Sequence, residues 1–170
     1  SRHQYAMVAL QVAYDGAAFC GFASQPGGLR TVEGALLAGL RQTCLLAGGG
    51  GGELRAACYS RCGRTDRGVS ALGQVVAARL RLGRAGEPLD YPLLLNRVLP
   101  PDVRVLAWAP APRHFNARYD CLFRRYKYFF ARGQLDLAAM AAGAAHLVGE
   151  HDFRNLCKPD ANVHSFRRVV

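Results

Sequence analysis

The sequence predicts a globular chain in which strands and helices are mixed, and three observations carry that reading. Apolar, strand-like runs recur at residues 7–13, 74–80 and 103–109. Other segments, 31–43 and 135–148 above all, repeat their apolar residues at helical spacing. Hydrophobic residues make up 51% and charged residues 20% of 170 positions, enough to bury a core in one domain or a pair of small ones.

Residues 7–13 read as a first strand, apolar enough to be central, running into the turn signal Tyr14-Asp15-Gly16. Thr31 stands where an N-cap belongs. Val32, Leu36, Leu37 and Leu40 follow at helical spacing, and Glu33 in the first turn suits the helix dipole. The glycine run 48–52 reads as a flexible loop. Residues 54–59 are apolar and mildly β-like, so 61–70 is expected as a loop between two strands. Residues 91–99 read as a short helix stopped by Pro100 and Pro101, and 103–109 alternate as a strand ended by Pro110. On the alanine-rich helix 135–148, Leu137, Met140, Ala144 and Leu147 form a stripe expected in the core. Residues 166–170 begin another strand.

The most informative loop is Arg61-Cys62-Gly63-Arg64-Thr65-Asp66-Arg67-Gly68-Val69-Ser70. It holds one carboxylate, Asp66, between Arg64 and Arg67. Gly63 and Gly68 on either side free the backbone for positive φ and for close approach to a ligand. A carboxylate among cations suits a nucleophile or base acting on an anionic substrate. The residues themselves equally allow a surface turn in which Asp66 pairs with Arg64 or Arg67.

Charge points to the same kind of partner. Lys and Arg number 22 against 12 Asp and Glu, a net +10, and only Lys127 and Lys158 of those cations are not arginine. Such an excess favours a polyanion, nucleic acid being the usual one, although an Arg- and Ala-rich composition also follows from codon bias. Residues 113–132 interleave six cations with aromatic rings around a single acid, Asp120. As a strand, this stretch puts Arg124, Tyr126 and Tyr128 on one face and Phe123, Arg125, Lys127 and Phe129 on the other, an arrangement that stacks bases while neutralising phosphates. An ordinary edge strand with solvated arginines reads the same way. The six cysteines show no metal-ligand spacing and are expected as reduced, mostly core thiols. No run of about 18 apolar residues predicts a membrane span. The N-terminus lacks both a secretory layout and a starting Met, so the chain reads as a piece of a longer one.

Residues 63–71, Gly-Arg-Thr-Asp-Arg-Gly-Val-Ser-Ala, closely resemble the active-site loop of the TruA family of tRNA pseudouridine synthases, where G-R-T-D-x-G-V-x-A surrounds one essential aspartate. The resemblance extends along the chain in ordered blocks: Y-D-G-x-x-F-x-G-F-x-x-Q at 14–25, T-V-E-G-x-L at 31–36, L-N-x-x-L-P-x-D-V-x-V at 95–105, F-x-A-R at 115–118, R-x-Y-x-Y at 124–128 and G-x-H-D-F at 149–153. Phe22-Ala23-Ser24-Gln25 and residues 151–158 look most like the eukaryotic branch, which acts on positions 38 and 39 of the anticodon stem-loop.

The resemblance implies an α+β fold, the pseudouridine synthase fold, with two ferredoxin-like half-domains whose mostly antiparallel sheets join. The first half-domain would span 1–112 and carry the aspartate loop; the second, 113–170, would be incomplete. It implies Asp66 as catalytic carboxylate, Arg64 filling the place of a flipped uridine, Tyr126 stacking on the detached uracil, and Gly63, Thr65 and Gly68 admitting the ribose. Arg61, Arg67, Arg118, Arg124, Arg125 and Lys127 are expected against the RNA backbone. His151 and Asp152 are expected to orient or to end a helix rather than to catalyse. Moving C1′ from N1 to C5 of uracil gains no atom and changes no oxidation level, so no cofactor and no metal are expected. The partner is tRNA, the longer protein is expected as a homodimer, and the compartment as nucleus, cytoplasm or both. Family members continue further and supply a basic residue against the aspartate, so this stretch alone is expected to be weakly active or inactive. The alternative is a catalytically impaired RNA-binding fragment of the same fold. A hydrolase using Asp66 as base is weaker, since no metal set or Ser/His partner accompanies it.

Overall fold

A computed structural model describes residues 3–46, 52–157 and 163–170. The glycine run, Gly52 apart, lies outside the described residues. The chain divides into two compact units, Ser1–Arg124 and Arg125–Val170.

The first unit runs β1 (Tyr5–Tyr14), α1 (Val32–Gln42), α2 (Glu53–Ala56), β2 (Ser60–Arg61), β3 (Ala71–Arg81), α3 (Tyr91–Asn96) and β4 (Val103–Pro110). Its sheet has the order β2-β3-β1-β4, with every neighbouring pair antiparallel. With the single turn α2 set aside, this is a β-α-β-β-α-β chain in ferredoxin-like order. The unit is a mixed α/β structure on an antiparallel sheet, in keeping with the α+β class.

The alternation of β1 decides its two faces. Val8, Leu10, Val12 and Tyr14 join Val32, Leu36, Leu37 and Leu40 of α1 and Tyr91 and Leu95 of α3 in the main core. Met7 falls in a second, smaller cluster with Ala77 and Ala117. Each such fully buried Leu or Val contributes about 1.5–3 kcal/mol of transfer free energy. β1 is central, as its continuous apolar character predicts. The register slips in both of its pairings between Gln11 and Tyr14, and such bulges bend a strand next to the loops that it carries.

Capping chemistry sets the helix ends. Thr31 Oγ1 accepts from Gly34 N at 3.2 Å to start α1. Cys44 ends it with φ 51°, while Leu45 N donates back to Leu40 O. Residues 53–56 repeat the device: Cys58 has φ 50° and Tyr59 N donates to Leu54 O. Both are Schellman stops with cysteine in the left-handed position that glycine usually takes. The strand expected over 54–59 is therefore a helical turn followed by a two-residue strand, because Glu-Leu-Arg-Ala favours helix and the left-handed residue breaks it. The cysteines also depart from expectation. None is buried: Cys20, Cys62 and Cys121 are half-buried and Cys44, Cys58 and Cys157 exposed.

The second unit holds α4 (Leu137–Ala145), β5 (Glu150–Asp152), a 3-10 turn (Arg154–Leu156) and β6 (Arg167–Val169). Asp136 Oδ1 accepts from Ala138 N and Ala139 N, both at 3.0 Å, to cap α4. β5 and β6 pair antiparallel. The stripe expected in the core is exposed, with Leu137 at 42%, Met140 at 44% and Leu147 at 42%. Alanine propensity and the Asp136 cap form the helix without it. The strand on which residues 123–129 would alternate is also absent, since a strand exists only by pairing and none of the described residues forms a ladder with it. Among the described residues no helix is long and apolar enough to cross a membrane.

Candidate active site

Asp66 lies in the connection of the β2–β3 hairpin, and the segment after β1 holds that connection from below. Tyr14 Oη lies 2.8 Å from Thr65 Oγ1. Phe22 N donates to Thr65 O at 3.0 Å. Gly16 N donates to Ser70 Oγ at 2.9 Å, and a Cβ at Gly16 would stand 2.0 Å from Val69 O. At the other end of the loop, Gln74 Nε2 donates to Gly63 O at 2.7 Å and Cys62 Sγ donates to Gln74 Oε1 at 2.7 Å. Gly68 takes φ 78°, the positive value expected of it.

These ties leave the charged tips outside. Asp66, Arg64 and Arg67 are exposed. Among the described residues no hydrogen bond or ion pair engages the Asp66 carboxylate or either guanidinium. The pairing that a plain surface turn would show is therefore not made. A fixed backbone presents one accessible carboxylate with a cation on each side, an arrangement that can meet an anionic substrate without first breaking an ion pair.

A second layer lies behind the loop. The Glu33 side chain is 4% exposed, forms an ion pair with Arg61, and accepts from Ser24 N at 2.8 Å. It thereby joins α1, the 14–25 segment and the start of the loop. The Tyr59 hydroxyl is buried beside this pair without a hydrogen bond of regular geometry. Burial pushes its phenol well above the ordinary tyrosine range, and the Glu33 charge adds to the rise. Arg124 Nε donates to Cys62 O at 2.8 Å and its Nη2 to Arg118 O at 3.2 Å. Arg61 and Arg124, read from sequence as RNA contacts, are thus tied internally. Arg118 is exposed, with its guanidinium 5.5 Å from the Tyr119 ring centre.

Sequence reasoning missed Tyr14, Glu33, Ser70 and Gln74 as supports of the loop. A signal existed for Glu33: helix α1 places its carboxylate among the residues that pack on the sheet, and a buried acid demands partners.

The remaining sequence-predicted residues, Arg125, Tyr126 and Lys127, belong to the second unit and are exposed, Tyr126 at 73%. Tyr128 and Phe130 stack at 6.3 Å. His151 Nε2 lies 2.9 Å from Val148 O, and Asp152 accepts from Arg154 N at 3.0 Å. These are local turn contacts of exposed residues. Among the described residues no group of three or more His, Cys, Asp or Glu is placed to hold a metal ion.

No family model matches the chain. Individual proteins do match, throughout its length. It is 44% identical over its whole length to the human tRNA pseudouridine(38/39) synthase, of which it spans 38%. It is 36% identical, again over its whole length, to the Saccharomyces cerevisiae protein of that name, spanning 41% of it. Over 96% of its length it is 44% identical to tRNA pseudouridine synthase A of Methanothrix thermoacetophila, spanning 56% of that protein. Similarity of this extent defines the chain as homologous to the tRNA pseudouridine synthases. The chain is a stretch about two fifths as long as the eukaryotic relatives that it matches.

Proposed function

We propose that the chain is the aspartate-bearing part of a tRNA pseudouridine synthase, an RNA-modifying isomerase that converts uridine to pseudouridine at positions 38 and 39 of the anticodon stem-loop. The observation that carries this reading is the unpaired Asp66 carboxylate, held out on a backbone fixed by Tyr14, Gly16 and Gln74. The names and identities of the relatives support the substrate class.

The reaction breaks the bond from N1 to C1′, turns the base, and joins C5 to C1′; N1 gains a proton and C5 loses one, so the atoms balance. Asp66 supplies the one group that this needs near the sugar, attacking C1′ as a nucleophile or removing the C2′ proton as a base. The target leaves the stack before reaction. Arg64, two residues from Asp66, fills the vacated place, and Tyr126 stacks on the detached uracil. Gly63, Thr65 and Gly68 let the ribose approach the backbone. Arg67, Arg118, Arg125 and Lys127 neutralise phosphates. In the complete protein, residues 1–112 would form the first of two ferredoxin-like halves, residues 113–170 would begin the second, and two copies would associate.

The chain's span of the relatives favours a second reading, an RNA-binding stretch without turnover. Nucleoside analysis of tRNA after incubation with excess protein separates the two. A low yield of pseudouridine supports the synthase reading, and saturable tRNA binding with none supports the second.

A further inference from the structure

A cavity of about 370 Å³ opens in the first unit, lined by Arg55, Tyr59, Arg113, His114, Phe115 and Asn116 among others. None of its lining residues is acidic. Arg55, Arg113 and His114 are exposed, and among the described residues none of their side chains makes a hydrogen bond or an ion pair. Of the nearby acids, Glu53 pairs with Arg41, while Asp120 accepts from Asn116 N at 2.8 Å and keeps its charge outside the lining. Asn116 Oδ1 accepts from Arg118 N at 3.0 Å. That bond fixes the side chain and leaves its NH2 as a further donor. Two unneutralised guanidiniums, an imidazole and an amide thus face one concavity beside two aromatic rings, Tyr59 and Phe115.

The site lies away from Asp66. Met7, which also lines the cavity, is seven residues along β1 from Tyr14, the residue that holds Thr65. At about 3.3 Å per residue that is roughly 20 Å, a length that several base steps of a duplex span at about 3.4 Å each.

We infer that this cavity is a second anion site, which takes a phosphodiester of the RNA stem several base steps from the nucleotide at Asp66. The inference rests on the synthase reading, since it gives the RNA a second point of attachment. A phosphate seats between Arg55 and Arg113, where two forked donors match its oxygens, with Asn116 and His114 beside it. Holding the stem at a distance from the loop sets which nucleotide meets Asp66.

The test titrates the 170-residue chain with an anticodon stem-loop RNA over a range of salt concentrations, beside the R55Q/R113Q double variant. R55K/R113K keeps the charge, and R84Q/R97Q removes two exposed cations elsewhere. Losing two phosphate contacts is expected to weaken binding by about tenfold at moderate salt and to flatten the log–log salt dependence by about one to two. The lysine variant keeps the parent's slope, since its charge is unchanged, while losing part of the affinity with the forked geometry, and R84Q/R97Q keeps the slope as well. Equal affinity and slope for parent and R55Q/R113Q overturns the site while leaving the synthase reading intact. An equal loss in R84Q/R97Q overturns it too, as bulk charge. A parent that binds no RNA removes both. A parallel titration with uridine monophosphate decides the source: saturable binding of the mononucleotide, abolished in R55Q/R113Q with RNA binding unchanged, overturns the stem assignment.

Discussion

The Tyr14 hydroxyl lies 2.8 Å from Thr65 Oγ1, so the last residue of the central strand grips the residue immediately before Asp66. Fifty-one positions separate the two in sequence. The contact converts the rigidity of the sheet into a fixed place for the loop. Tyr14→Phe and Thr65→Val each remove it and should cost about 0.5–1.5 kcal/mol. The two effects should be less than additive in the double variant, as a cycle of urea unfolding measurements reads directly.

Glu33 holds Arg61 and Ser24 N together from a position sealed from solvent. Glu33→Ala leaves the partly buried Arg61 unpaired and an amide unsatisfied, and should lower stability by about 2–4 kcal/mol. Glu33→Gln keeps the shape and one acceptor, so its loss should be less than half as large. Equilibrium denaturation checks both; equal losses would mean that the charge of Glu33 alone, and not its shape and remaining acceptor, matters there.

The backbone of Gly16 presses against the Val69 carbonyl, where a methyl group would stand 2.0 Å from the oxygen. Gly16→Ala should therefore displace the Asp66 loop and lower stability by about 1–3 kcal/mol. Hydrogen exchange at residues 66–70 is expected to quicken, while α1 keeps its protection.

Much of this arrangement was legible beforehand, and the limits have physical causes. β1, α1 and the aspartate loop announce themselves locally, through apolar alternation, Thr31 as a cap, and glycines beside charge. The clamps on that loop are contacts between distant residues, and no local period reveals that Tyr14 meets Thr65 or that Glu33 meets Arg61. Residues 54–59 misled because apolar content alone does not separate a strand from a helical turn; the stop depends on the φ of Cys58. Residues 123–129 misled for another reason: alternation marks a segment able to pair, and pairing takes a second strand. The same long-range dependence hid the internal bonds of two cations: Arg61 pairs with Glu33, and Arg124, though exposed, donates to Cys62 O and Arg118 O.

Tyr59 gives the pH prediction. Its folded-state phenol is raised, chiefly by burial and further by Glu33. The neutral form is thus favoured in the folded chain, and the unfolded chain loses its proton first. The associated stability is fully present below about pH 10, the unfolded value, and is lost as pH rises through the folded value. Tyr59→Phe should flatten the decline of the urea midpoint above pH 10 and leave the midpoint at pH 7 little changed, since the hydroxyl makes no regular hydrogen bond. An unchanged alkaline slope would contradict this.

The central claim is that the Asp66 carboxylate performs the chemistry, and the direct measurement is pseudouridine formed per tRNA under excess protein, with Asp66→Ala beside the parent. The exposed carboxylate makes no contact that supports the fold, so the variant should unfold at the parent's urea midpoint and bind tRNA within about threefold. Its pseudouridine yield should fall by at least about a hundredfold, or below detection. Pseudouridine formed by Asp66→Ala at the parent's rate would contradict the account.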